Sequence, residues 1–187
     1  MHNVLYFTDQ FFERHKYPQS HPENENRLIN LNKQLKKSHL YTHLIQPSFE
    51  KINLDTILLA HQPSLIKKLE NNTDIFIDSD TYLGKSSFEC AKLASGALKK
   101  AIDETINNNI KRSFSAVRPP GHHAEYDKSM GFCLINNVAI AARYAQSKGF
   151  SKIMIIDFDV HHGNGTEDIF KDDNTVLYLS SHQSPLF

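Results

Sequence analysis

The 187-residue sequence is long enough for one domain with a buried core, and 40% hydrophobic and 22% charged residues are ordinary for a globular protein. Twenty-one basic residues balance 21 acidic ones, so the charge gives no reason to expect direct nucleic-acid or membrane binding, and no apolar run is long enough to span a bilayer. Cys90 and Cys133 make no disulfide framework, and the N-terminus turns polar too early for a signal peptide, so a reducing, cytoplasmic setting is expected.

Asn3 to Thr8 reads as a short buried strand, and Leu28, Leu31 and Leu35 give Glu23 to Lys37 a helical spacing. Leu54 to Leu59 and Ser64 to Leu69 read as short helices, the second opened by Pro63 at a position that tolerates proline. Ser86 and Glu89 have capping-box spacing, with Ala91, Ala94, Leu98 and Ile102 continuing the helix toward Ile106. Ser113 to Val117 is a strand ended by Pro119-Pro120-Gly121. Asn136 or Asn137 caps a helix running through Ala145 and stopped by Gly149.

Lys152 to Phe158 is a continuous apolar strand of the kind buried on both faces. A helical turn over Thr166 to Phe170 and a strand over Thr175 to Leu179 follow. Strands alternating with helices predict an α/β fold with a mostly parallel sheet flanked by helices. The chain stops after that last strand and a loop, which predicts one domain over residues 1–187 that is incomplete at its C-terminus. The scattered basic pairs, Lys67-Lys68 and Lys99-Lys100 among them, read as solvated element ends, and most of the 11 histidines as surface residues. Only histidine clusters carry weight.

The segment Asp157-Phe158-Asp159-Val160-His161-His162-Gly163-Asn164-Gly165 is the most informative. Alternation along a strand puts Asp157, Asp159 and His161 on one side, with Phe158 and Val160 on the other. Carboxylates gathered at the C-terminal end of a parallel strand stand where open α/β sheets hold their sites, and burying them together is expensive unless a cation or a hydrogen bond compensates. With an imidazole included, zinc (Zn2+) or iron (Fe2+) suits the set better than magnesium, which prefers oxygen. Taken alone, the same residues also read as plain strand-end carboxylates beside a surface histidine pair.

Arg118-Pro119-Pro120-Gly121-His122-His123 follows another strand end, and paired imidazoles beside a metal supply a general base and an electrostatic partner. Their tautomers need acceptors, for which Asp157 and Asn164 are candidates. Gly131-Phe132-Cys133 lies between the motifs; the core is the default place for Phe132, and a channel wall is the functional alternative. Cys133 reads as a small buried residue.

Together RPPGHHAE, MGFCLINNVAIAA, DFDVHHGNGTEDIF and YLSSHQSPLF, with HPENENR upstream, resemble the histone deacetylase superfamily, its acetylpolyamine amidohydrolases and acetoin-utilisation proteins included. The likeness runs from about Tyr17 to the last residue, and RPPGHH with Asn164 resembles the class II and bacterial branch. It implies an arginase/deacetylase-like fold and hydrolysis of an acetylated lysine in a peptide or protein, or of an acetylated polyamine. Asp159 and His161 would bind zinc. His123 would be general base and acid, oriented by Asn164, and His122 the electrostatic helper, oriented by Asp157.

The same resemblance implies that Gly131, Phe132 and Phe187 line an acyl-lysine tunnel. It places a structural potassium ion (K+) around Asp157, Asp159, His161, Ser180 and Ser181, and an acetate channel at Arg27. The family's third metal ligand and its oxyanion tyrosine find no counterpart in the sequence, and Pro63 falls where some members carry a substrate-gripping aspartate. An inactive chain is therefore the rival expectation, and an uncovered sheet edge would favour association, including homo-oligomers.

Overall fold

The computed structural model describes residues 4–185. In chain order the elements begin with β1 (Val4–Phe7), α1 (Asn26–Lys37), β2 (Leu44–Ile45), α2 (Leu54–Ile57) and α3 (Pro63–Asn71). A short pair, β3 (Ile75–Phe76) and β4 (Tyr82–Leu83), leads into α4 (Ser87–Asn108) and β5 (Ser113–Ser115). The remainder is α5 (Asn137–Ser147), β6 (Ile153–Asp157), α6 (Asn164–Phe170) and β7 (Val176–Ser180).

The pairing is mostly parallel, as the alternation of strands and helices predicts. β1 lies between β2 and β5, Leu5 standing beside Ile45 on one side and Ser113 on the other. β6 and β7 form a second parallel unit in register from Ile153–Val176 to Asp157–Ser180, while β3 and β4 form an antiparallel hairpin.

β1 is buried on both faces, with Leu5, Tyr6 and Phe7 no more than 1% exposed. Against it lies α4, whose small residues Ala91, Ala94, Ser95, Gly96 and Ala97 let other backbone come close. A Cβ at position 96 would stand 1.8 Å from the Glu50 carbonyl oxygen, so only glycine fits that crossing. The main core gathers Ile57, Leu65, Leu69, Leu134, Ile135, Ile140 and Phe170, and Ile153 and Ile155 of β6 rest on it.

Three expectations need correction. The capping box does not form: Ser86 makes no side-chain cap bond, and Glu89 is drawn instead to Lys51 and Lys92. β6 is covered on one face only, since Met154 and Ile156 are 60% and 59% exposed while Ile153 and Ile155 point inward. Lys99-Lys100 sit inside α4 rather than at an element end, matched to Asp103 and Glu104 one turn on, whereas Lys68 is in the last turn of α3 and Lys36-Lys37 close α1. Most of the described histidines reach the surface as expected; His15, His61 and His123 are buried.

The helix caps follow the sequence more closely. Asn136 accepts the Ala139 N–H and starts α5, and Asn53 does the same for Thr56 at α2. Both caps use an acceptor in the β region, where the first-turn N–H groups are within reach.

Candidate active site

The loop after β5 is tied down by a buried arginine. Arg118 is 1% exposed, and its guanidinium donates to the Glu23 carboxylate, to Phe12 O at 2.9 Å and to His15 O at 3.0 Å. Burial pushes the Glu23 carboxyl upward, but hydrogen bonds from His15 and Arg118 outweigh it and bring the pKa down to about 2. The Asn137 side chain at the start of α5 donates to Pro119 O at 3.1 Å. These contacts fix the backbone from which His122 and His123 project.

The opposing strand end is built from side chains that accept the next residues' N–H groups. Asp157 Oδ1 accepts the Asp159 N–H at 3.1 Å, and Asp159 Oδ1 accepts that of His161 at 2.8 Å. These turns bring the Asp159 and His161 side chains together and leave Phe158 87% and Val160 50% exposed, on the alternation read from the sequence. Gly163 is needed for closure, because a Cβ there would lie 2.3 Å from Asp157 Oδ2 and 2.4 Å from the Tyr178 hydroxyl. His162 turns away from this cluster, bonding Glu167 and lying beside the His182 ring.

The two units meet at the tandem histidines. His122 Nδ1 lies 2.9 Å from Asp157 Oδ2, and His123 Nδ1 lies 2.8 Å from Asn164 Oδ1. The rings are 4.0 Å apart, and His122 Nε2 is 4.0 Å from Asp159 Oδ1. Burial pushes the His123 pKa down to about 4, with the Asn164 bond opposing it, so the ring is neutral at pH 7. Burial raises the Asp157 carboxyl, yet hydrogen bonds from His122, the Asp159 N–H and Tyr178 hold it below the usual carboxylate range.

Both histidines, Asp159 and His161 line a cleft of about 530 Å³ that also touches Gly131, Phe132, Arg27 and Asp80. Gly131 and Phe132 form a tight turn between Met130 and Cys133, with φ of 56° and 68°. Positive φ at both central positions is what a two-residue hairpin requires, and at Phe132 it costs strain. Gly131 presses on His123, as a Cβ there would fall 2.5 Å from the ring. The Phe132 N–H is held at 2.9 Å by the hydroxyl of Thr81, itself fully buried and bonded to Asp78.

One donor pair has the spacing that two ligands of a shared ion would have. Bonds of about 2.0–2.2 Å at a near-tetrahedral angle put two ligand atoms about 3.4 Å apart, and Asp159 Oδ1 and His161 Nδ1 stand 3.1 Å apart. Among the described residues no group of three such side chains converges. At the expected potassium position Asp157 pairs with Ser180 across the strands; the Ser181 N–H donates to Asp157 O, and the Ser180 hydroxyl meets His182. Arg27 sits at the cleft with its side chain 60% exposed, 3.5 Å from Glu23. Phe187 lies outside the described residues.

The sequence reading passed over several groups that shape the site. Pro63 opens α3 and is not among the cleft residues; besides Asp159, the cleft carboxylates are Glu23 and Asp80. Arg118 stood inside a quoted motif without a role, and its partner Glu23 is 95 positions away, beyond the reach of local pattern. Tyr178, which donates to Asp157, stands in a segment read only as an apolar strand, and His61, which accepts the Asn136 N–H at 2.8 Å, falls between two predicted helices.

Comparison with known proteins gives the family and the fold. The histone deacetylase domain matches residues 21–187. A probable deacetylase of Methanothermobacter thermautotrophicus is 40% identical over 171 residues, 89% of this chain and 50% of that protein. Histone deacetylase 15 of Arabidopsis thaliana is 36% identical over 169 residues, 88% of this chain and 31% of that one. The crystal structure of the HDA15 HD domain superposes with a TM-score of 0.89 at 32% identity, covering 97% of this chain and 53% of that one. The chain spans about half the length of the archaeal relative it matches.

Proposed function

We propose, from the premise that this chain belongs to the histone deacetylase family, that it carries the proton-transfer side of a zinc-dependent site that hydrolyses acetyl-lysine-like amides to a free amine and acetate. The observation that carries the reading is the pair of imidazoles whose Nδ1 atoms face Asp157 and Asn164 while both rings line the cleft of Asp159 and His161.

Asp159 and His161 are the residues that would hold the metal, with iron as the alternative ion, and a bound divalent ion would polarise the acetyl carbonyl and acidify a water. His123 is neutral at pH 7 and donates from Nδ1, so its Nε2 accepts the water proton and later returns it to the departing amine. His122, its Nδ1–H donating to Asp157, stabilises negative charge developing beside it. Phe132 and Gly131 would form one wall of the acyl path, and Asp80, also at the cleft, would accept an N–H of the substrate. The substrate class is an acetylated lysine in a peptide or an acetylated polyamine. The Asp157–Ser180 corner would seat potassium, and Arg27 would stand at the acetate exit.

A second reading is a chain that keeps this cleft but turns nothing over by itself. It is favoured by the want of a third metal-ligating side chain beside Asp159 and His161 among the described residues. Zinc analysis with a fluorogenic acetyl-lysine assay separates the two. With zinc in excess we expect weak metal retention and slow turnover that His123→Ala removes. Equal rates for the chain and the variant would defeat the enzymatic reading and leave the second.

A further inference from the structure

Asn164 poses a problem that an aspartate in its place would not. An amide has one accepting and one donating end, and only the accepting end can fix a donating Nδ1–H on His123. Reversed, the amide would offer N–H to that nitrogen and favour the other tautomer, with the proton on Nε2 inside the cleft. Something must therefore set the amide's orientation.

We propose that Glu125 is that group, a positioning residue that fixes the His123 tautomer through Asn164. Asn164 Nδ2 stands 2.9 Å from Glu125 Oε1 and 3.5 Å from Met130 Sδ, while Asn164 Oδ1 is 2.8 Å from His123 Nδ1. An ionised carboxylate and a thioether both only accept, so both demand the NH2 end of the amide and turn its oxygen toward His123. The carboxylate bond is charge-assisted and the stronger of the two. Glu125, two residues beyond His123 in the same loop, has its backbone held by its own N–H donating to Lys128 O at 2.9 Å. Asn164 is held by the start of α6, where a Cβ on the next residue, Gly165, would lie 2.3 Å from Ala124 O. The two backbones are thus locked together around the amide.

Glutamine at position 125 keeps the size but can donate as well as accept, so it releases the constraint. Nitrogen-15 spectra of the histidine-labelled chain, with His123 assigned by difference against His123→Ala, read the tautomer directly. The parent chain should show His123 protonated on Nδ1 alone, and Glu125→Gln should show a mixture. Combining Glu125→Gln with Asn164→Asp should restore the single form, because a carboxylate at 164 accepts in either orientation. A parent spectrum with the proton on Nε2, or a Glu125→Gln spectrum identical to the parent, overturns the proposal.

A second measurement rests on the deacetylase reading. With acetyl-lysine substrate and zinc, Glu125→Gln should lower kcat about 10- to 100-fold with KM little changed, and the double variant should recover most of it. No turnover by the parent chain would count against the proposed function alone, since the tautomer spectra stand independently of activity. A raised KM with unchanged kcat would assign Glu125 to substrate binding and overturn the positioning role.

Discussion

The two strand ends that make the site lie in unlike surroundings. Behind the tandem histidines, β1 is sealed on both faces and Arg118 is wholly buried, so His122 and His123 stand on fixed backbone with side chains mostly covered. Behind Asp159 and His161, β6 and β7 turn Met154, Ile156, Phe158, Leu177 and Leu179 outward, and the two side chains themselves are 50% and 43% exposed. The histidine side of the candidate site is organised by packing within the chain, whereas the Asp159–His161 side is shaped, among the described residues, by short turns at the end of the β6–β7 pair. Preorganisation in this molecule is local to one half of its site.

The comparison breaks most sharply at Arg118. Arg118→Ala strands the Glu23 carboxylate and should cost about 3–5 kcal/mol in urea unfolding, while Asp159→Ala should cost less than about 1 kcal/mol. A similar loss for both would show that the two halves are equally anchored.

Acid should reach the same buried half next. His61 is held neutral by burial, its pKa falling to about 4 from an ordinary 6.5, so the unfolded chain binds its proton first. Stability from His61 is complete above pH 6.5 and declines as pH drops toward 4. The Glu23 contribution persists above 4.5 and declines as pH falls toward 2. Each amounts to about 3 kcal/mol. Urea midpoints that are flat between pH 6.5 and pH 4 would contradict the His61 assignment, and midpoints flat between pH 4.5 and pH 2 that of Glu23.

A smaller effect is expected at the hairpin that pins the cleft wall. Thr81→Val leaves the Phe132 N–H unpaired and should cost about 1–3 kcal/mol, with faster amide exchange at Phe132 and recovery in Thr81→Ser. The smallest change in stability belongs to the outward face. Phe158→Ser should alter unfolding by no more than about 0.5 kcal/mol yet shift sedimentation toward monomer, because an exposed apolar face of this kind drives association.

Most of the elements were legible because their signals are local. Leu28, Leu31 and Leu35 announce α1, Asn136 announces the start of α5, and alternation along Asp157 to His161 announces which side chains gather. The acceptors named for the tandem histidines, Asp157 and Asn164, also stand at their Nδ1 atoms. What stayed hidden depends on distant chain. The apolar run of β6 reads as doubly buried because composition reports the demand for cover, not whether the described chain supplies it. Ser86 and Glu89 have the spacing of a cap, but Lys51, distant in sequence, competes for the carboxylate. Arg118 carries no periodic mark at all.

Both cysteines lie beneath the surface, and burial pushes the Cys90 thiol up to about 12 and Cys133 higher still. Thiolate is the reactive form, so the folded chain is nearly silent toward maleimides at neutral pH. A single cysteine introduced in place of Phe158 would thus become a lone chemical handle. Its labelling rate, with and without added protein, gives a direct gauge of whatever comes to cover that face.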